Sequence, residues 1–490
     1  MREKIVVPNA PILVESTRSI GYSFEAAVAD IVDNSISAGA TEVLIGFQSI
    51  EPAWLCIEDN GCGMTAEELE NAMRYGSQSS LAQRSENDLG RFGLGMKMAS
   101  LSQCRTLIVM TKKNGMISAA SWDLDYIVQQ NNWSLKTFSE DEIQQFPGYD
   151  YLMVCESGTV VIWKNFDRLQ KESANFHQDF DEKIDVTRQH LALVFHRFLD
   201  ATERVGKPPL KIYMNGDQVK GIDPFLTKNP ATQSLGEIPL TIDGEKILVK
   251  PYVLPIISKI KKSELKTLGG KEELRQRQGF YIYRNKRLII WGTWFRLVKQ
   301  NELGKLARVR VDIPNTLDSL WDIDVKKSKA SLPYKIKKSL ANIVYQTVGK
   351  SEKVYRYRGR KVQNDQLVHV WNVIDDRGTF SYRINKDFPA YKLLENALDE
   401  KSQPLLDSFL QILENSFPYG DVYYRMAKNE TTSESQLMDE QTVYDMAVNM
   451  ISTIEENHGD VQSFLAIMGQ TDFFIKYPNV VKKVKEVYEK

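Results

Sequence analysis

Ser23-Phe24-Glu25-Ala26-Ala27-Val28-Ala29-Asp30-Ile31-Val32-Asp33-Asn34-Ser35-Ile36-Ser37 carries two patterns at once. Phe24, Val28, Ile31 and Val32 fall at i, i+4, i+7 and i+8, one apolar stripe of a 3.6-residue period, so an amphipathic helix is expected. Asp30, Asp33 and Asn34 fall together on the opposite side. Two carboxylates and an amide on the open side of a helix suit a metal and phosphate site. A surface helix with acids on its wet face has the same pattern, and the following residues separate the two readings.

Alternating, strand-like stretches at Val43 to Phe47 and Trp54 to Ile57 lead into Glu58-Asp59-Asn60-Gly61-Cys62-Gly63-Met64. Further on come Gly90-Arg91-Phe92-Gly93-Leu94-Gly95-Met96-Lys97 and then Ser157-Gly158-Thr159-Val160-Val161. An acid-amide helix, an Asp-x-Gly-x-Gly turn, a glycine-rich loop entering a helix and a Gly-Thr strand, in that order, closely resemble the GHKL ATPases. That family comprises gyrase B subunits, heat-shock chaperones, MutL and histidine kinases. The resemblance implies an α+β chain opening with a Bergerat-type α/β sandwich ATPase domain.

A carboxylate at a strand end, such as Asp59, can accept a hydrogen bond from the exocyclic amine of adenine, which favours ATP over GTP. Gly61 and Gly63, before Met64, let the backbone turn with positive φ and approach the base. Thr159 matches the family's Gly-Thr position, which helps hold that acid; the alternative is a packed β-branched residue. Gly93, Leu94, Gly95 and Met96 open a helix whose N–H groups suit an anion. Lys97 either caps a phosphate or is a solvated helix lysine. The loop is neither a Walker loop nor a Rossmann fingerprint, since Met98 follows Lys97 and a third glycine is missing. Asn34 can give magnesium one amide ligand.

The resemblance places the water-activating acid four residues before Asn34, at Asp30, where the family has Glu. The loss of one methylene implies slow hydrolysis, with Asp33 or Glu25 as substitutes for the role. Asp33 otherwise reads as a contact to a magnesium-bound water. Trp321-Asp322-Ile323-Asp324-Val325-Lys326-Lys327-Ser328-Lys329 resembles the MutL transducer motif, which assigns Lys329 to the γ-phosphate, with Lys326 and Lys327 as alternatives.

At 490 residues, with 42% hydrophobic and 26% charged residues and a net charge of −1, the chain reads as an ordinary globular protein of two or three domains. No run approaches the roughly 18 apolar residues of a membrane span, and no signal-peptide core follows Met1. Cys56, Cys62, Cys104 and Cys155 have no paired metal spacing, so reduced thiols and a cytoplasmic location are expected.

Pro8 and Pro11 argue against a helix before residue 22. The resemblance implies that this leading segment reaches across to a partner subunit; the alternative is a first strand on its own sheet. Thr65 three residues before Glu68 predicts a capped helix, and Lys113-Asn114-Gly115 a hairpin. Residues 76–88 have the composition of a mobile flap. The domains are expected at 1–225 (ATP-binding), 226–348 (transducer-like α/β) and 349–490 (mainly helical).

Histidine kinases are set aside, because about two dozen residues precede the motifs and all five histidines follow them. The Ala-Asp-Ile-Val-Asp-Asn-Ser helix, the Gly-Leu-Gly-Met-Lys loop and Gln278-Gly279-Phe280-Tyr281-Ile282-Tyr283-Arg284-Asn285 look most like prokaryotic MORC-like ATPases. That likeness implies a homodimer closing on ATP, with duplex DNA as client in genome defence, anti-phage systems included, or genome maintenance. Lys259, Lys261, Lys262, Lys266, Arg275, Arg277, Arg284, Lys286, Arg287, Arg296, Arg308 and Arg310, interleaved with Tyr281, Tyr283, Trp291 and Trp294, suit a phosphate-tracking surface or a solvated face. The other reading is a chaperone-like ATPase whose acidic helical tail, 391–490, grips a protein.

Overall fold

The apolar runs Leu107–Met110 and Val160–Trp163 are continuous because both of their faces are buried. They lie inside an eight-stranded sheet of β1 (Glu42–Gln48), β2 (Trp54–Asp59), β3 (Thr106–Lys113), β4 (Met116–Asp123), β5 (Lys136–Thr137), β6 (Gly158–Lys164), β7 (Lys211–Met214) and β8 (Asp217–Gln218). Its order is β5-β4-β3-β6-β2-β1-β7-β8, antiparallel except where β1 meets β7. Leu107, Val109, Val161 and Trp163 point into the main core. Ile108, Met110, Val160 and Ile162 point the other way, under Ile143 and Leu152 of two short helices. The structure, a computed structural model, describes residues 3, 8–19, 21–75, 95–203, 208–242, 244–301, 304–317, 334–356, 367–376, 379–399, 401–427, 438–456 and 460–489.

The main core is closed by helices α1 (Ala10–Arg18), α2 (Phe24–Ser37), α3 (Ala66–Met73) and α4 (Gly95–Gln103), with the Phe176–Val194 helix. In α2 the predicted stripe of Phe24, Val28, Ile31 and Val32 is at most 3% exposed. Such burial stabilises by about 1.5–3 kcal/mol per side chain. Phe24 meets Trp163 edge-on at 5.9 Å and Phe180 at 5.9 Å. Thr65 and Glu68 form the expected capping box of α3. Asn114 and Gly115, at φ 53° and 77°, turn the β3–β4 hairpin.

Pro8 and Pro11 do not keep the leading segment out of a helix. Pro11 falls in the first turn of α1, where its missing N–H has no intrahelical partner to lose, and the Asn9 side chain accepts from Ile12 N at 3.1 Å.

A second sheet has the order β10-β11-β14-β12-β13, with β9 paired to β11. Its strands are β9 (Gln233–Ser234), β10 (Ile238–Ile242), β11 (Glu245–Val253), β12 (Gly279–Arg284), β13 (Arg287–Thr293) and β14 (Ala307–Ile313). Every residue of β12 is buried. Tyr281 and Tyr283 join the main core, while Phe280 and Ile282 face Ile336, Leu340 and Val344 of the Tyr334–Arg356 helix. Both sheets therefore belong to one compact unit, Met1–Arg356.

This packing divides the basic, aromatic run. Arg284, Arg287 and Arg308 are buried, as are Tyr281, Tyr283 and Trp294. Arg308 is spent on the carbonyls of Lys305, Ala307 and Leu274. The rings fill the core and do not form an external stacking surface. Lys259, Lys261, Lys262, Lys266, Arg275 and Arg296 remain exposed.

The second unit, Tyr357–Lys490, holds the hairpin β15 (Trp371–Asp376) with β16 (Thr379–Ile384) and several helices. Its small core gathers Val443, Ala447, Ile451, Leu465, Met468 and Val484. The Gln403–Asn415 helix has no buried residue, and Leu405, Phe409, Ile412 and Leu413 are all exposed. Among the described residues no helix is long and apolar enough to cross a membrane.

Candidate functional site

Strand pairing brings three side chains into one row. Asp59 on β2 lies opposite Thr159 on β6, and Thr159 lies opposite Thr111 on β3. Cross-strand partners share a face, and here it is the face that α2 covers. Ser35 of α2 donates to Asp59 Oδ2 at 2.7 Å, and the Gly61 N–H donates to Oδ1 at 2.9 Å. Burial raises the Asp59 carboxyl above its ordinary range, opposed by the Ser35 hydroxyl and the Gly61 and Thr159 N–H groups. Each carboxylate oxygen has two acceptor positions, so capacity remains after these bonds. Thr111 Oγ1 donates to the Gly158 carbonyl at 3.0 Å, accepts from Met64 N at 2.8 Å and lies 3.3 Å from Thr159 Oγ1.

The glycines of the turn answer to the protein's own backbone. Gly63 has φ +62°, and a Cβ there would stand 2.0 Å from the Lys112 carbonyl oxygen. One on Gly158 would stand 2.2 Å from the Asp59 oxygen. At Gly61 it would meet Ala38 Cβ at 2.8 Å. Ser157 Oγ ties the turn down by donating to the Gly61 carbonyl at 2.7 Å.

On α2, Asn34 is exposed whereas Asp30 and Asp33 are buried, at 7% and 1% exposure. The expected wet face is thus wet only at Asn34. Tyr22 Oη donates to Asp30 Oδ2 at 3.1 Å. Gly95, the first residue of α4, lies beside the same carboxylate: a Cβ there would be 3.8 Å from Asp30 Oδ2. Met96 follows it, partly buried against the main core.

Two expectations are corrected. Asp33 does not face a magnesium-bound water; it accepts from Arg287 of β13 at 3.0 Å inside the protein. Lys97 is neither solvated nor turned out toward an anion. Its Nζ is buried and donates to the Ala72 carbonyl at 2.7 Å, at the end of α3, and burial lowers its pKa to about 8. Gly93, Leu94 and Lys329, with the flap 76–88, lie outside the described residues.

The structure therefore brings together Asp30, Asn34, Asp59, Gly61, Gly63, Met64, Gly95, Met96 and Thr159 around α2 and the ends of β2, β3 and β6. It adds Tyr22, Ser35, Thr111, Ser157 and Arg287. Ser35 and Ser157 adjoin motif residues and carried that signal; Arg287, 254 residues from its partner, carried none.

This arrangement of buried acid, glycine turn and helix-borne amide has counterparts. Residues 22–159 match the family described as histidine kinase-, DNA gyrase B- and HSP90-like ATPases. The chain is 34% identical over 94 residues to ATPase morc-1 of Caenorhabditis elegans, and 31% identical over 96 residues to ATPase MORC2B of Mus musculus. Each match takes in 19% of this chain, and they span only 11% and 9% of those two proteins' lengths. Asp59 and its turn, the Asp30–Asn34 helix and the Gly158-Thr159 strand all fall within the segment 22–159 that matches the GHKL ATPase family, and over about a fifth of its length the chain is similar to the MORC ATPases.

Proposed function

We propose that the chain binds and slowly hydrolyses ATP with magnesium, and that nucleotide binding draws two copies into a clamp that closes on duplex DNA in genome defence or maintenance in the cytoplasm. The observation that carries the nucleotide reading is the Asp59 carboxylate. It is buried, oriented by Ser35 and the Gly61 N–H, and lies in one row with Thr159. Asp59 receives the adenine amine, and Gly61, Gly63, Met64 and Thr159 shape the base pocket. The first turn of α4, with Gly95 and Met96, offers its N–H groups to the phosphates together with Gly93 and Leu94. Lys97 pins α4 to α3 in this arrangement, and Lys329 is assigned to the γ-phosphate by resemblance alone.

Asp30 takes the proton of the attacking water, and the Tyr22 hydroxyl holds its carboxylate. An exposed Asn34 beside a buried acid fits a magnesium ion that takes one or two protein oxygens. When bound, the ion supplies charge neutralisation at the phosphates.

The exposed lysines and arginines between Lys259 and Arg296 support DNA as client. A protein client is the second reading, favoured by the exposed Leu405, Phe409, Ile412 and Leu413 stripe of the Gln403–Asn415 helix. ATPase rates with and without duplex DNA, alongside sedimentation with a non-hydrolysable ATP analogue, test both. Stimulation by DNA that fades with salt selects the clamp, and no response to DNA at low salt removes it. Absence of ATP binding removes the whole proposal.

A further inference from the structure

The seam between the two sheets is joined by ion pairs as well as by apolar packing. Arg287, the first residue of β13, is 6% exposed, and its Nε donates to both oxygens of Asp33, at 3.0 and 3.4 Å. Its Nη1 donates to the Leu288 carbonyl at 2.5 Å, and the guanidinium stacks over the Phe195 ring at 4.5 Å. Asp33 is 1% exposed. Taking away either partner leaves a charge where water does not reach, so the two move together.

Asp33 is covalently joined to Asn34 and stands three residues, less than one helical turn, from Asp30. The hairpin that carries Arg287 turns through Asn285 and Lys286, at φ 47° and 68°. Such two-residue turns match the strand twist and leave little slack. A shift of the second sheet therefore reaches α2 at the residue between its two candidate functional side chains.

We propose that Asp33 and Arg287 are a positioning pair that sets α2, and with it Asn34 and Asp30, according to whether the second sheet is docked. The role rests on the nucleotide reading above, and neither side chain touches nucleotide in it. By linkage, a ligand that settles α2 must in turn settle the β12–β13 hairpin.

A second ion pair across the same seam provides the control. Arg197, at 7% exposure, pairs with Asp312 of β14 and with Glu203, but its own segment, His196–Leu199, is remote in sequence from α2.

The test uses the full chain and its Asp33→Asn, Arg287→Gln, double and Arg197→Gln variants. Steady-state kinetics, affinity for a non-hydrolysable ATP analogue and amide hydrogen exchange at Arg287 and Leu288 are measured. Each seam variant at the positioning pair is expected to lose on the order of a hundredfold in kcat, the cost of a displacement of about 1 Å, with a smaller change in analogue affinity. The double variant should be no worse than the poorer single one. Bound analogue should slow exchange at Leu288 in the parent chain and leave it unchanged in Asp33→Asn.

Arg197→Gln should lower the melting temperature and keep kcat. Should Asp33→Asn not fold, Arg287→Lys retains the charge without the planar fork and should lower kcat at an unchanged melting temperature. Unchanged kcat at both positions, additive losses, or an equal loss in Arg197→Gln overturns the positioning role while leaving the ATP reading intact. A parent chain that binds no nucleotide overturns the ATP reading itself.

Discussion

Two buried polar networks lie a few residues apart in this protein, and they end differently. At the seam, Arg287 meets Asp33, Arg197 meets Asp312 and Glu203, and His196 Nε2 lies 2.7 Å from Tyr283 Oη. Cation and anion are matched there, inside the protein. At the ends of β2 and β6, Asp59 takes the Ser35 hydroxyl and the Gly61 and Thr159 N–H groups and is left with acceptor capacity, and the neighbouring Asn34 is exposed. A buried network whose charges are matched within the protein holds elements together. One that, among the described residues, keeps an acid without a matching cation is suited to receive a donor from outside.

The sharpest way to break this contrast is at Asp30. Asp30→Ala is expected to lower kcat by about 10²- to 10⁴-fold with ATP-analogue affinity preserved; undiminished turnover would move the role to another acid. Asp59→Ala comes next. It removes a charged acceptor and leaves the Ser35 hydroxyl with only its long bond to the Ile31 carbonyl, so analogue binding measured by calorimetry should weaken by about 3 kcal/mol, with folding retained.

On the seam side the effect is a pH dependence. Burial first, and then the Arg197 charge, lower the His196 pKa to about 3, against an ordinary 6.5. The unfolded chain therefore binds more protons below pH 6.5. The contribution of neutral His196 is complete above that pH and is lost as pH falls toward 3, by up to roughly 1.4 kcal/mol per pH unit. Denaturant melts at pH 7.5 and 5 should show it, and His196→Gln should flatten the slope. The smallest expected effect is that of Tyr22→Phe, which removes one hydrogen bond to Asp30 and should cost about 1 kcal/mol in kcat/KM. A change in affinity with kcat untouched would instead place Tyr22 in binding.

How far the sequence reaches differs from residue to residue. Periodicity marks the α2 stripe and the alternation of β1 because a face repeats locally, every 3.6 or every two residues. Gly63 and Gly158 are legible as turn and strand-end glycines, yet the atoms that exclude a Cβ at them belong to Lys112 and Asp59 on other strands. Pro11 misleads, since its effect on a helix depends on whether it falls in the first turn. The Gln403–Asn415 helix and α2 each carry an apolar stripe; in the one no residue is buried, and in the other even two carboxylates are.

Local order along the chain was enough for the α2 helix, the α3 capping box and the β3–β4 hairpin, and it singled out Asp30, Asn34, Asp59 and the Gly-Thr strand as candidates, because those signals lie within a few residues of one another. Tertiary structure alone decided that Asp33 faces Arg287, that Lys97 faces Ala72, and that Tyr281 and Tyr283 fill a core. Charge and aromaticity look the same in a sequence whether they meet water or protein. Only the packing of distant strands settles which side chains lose their water and must find partners inside.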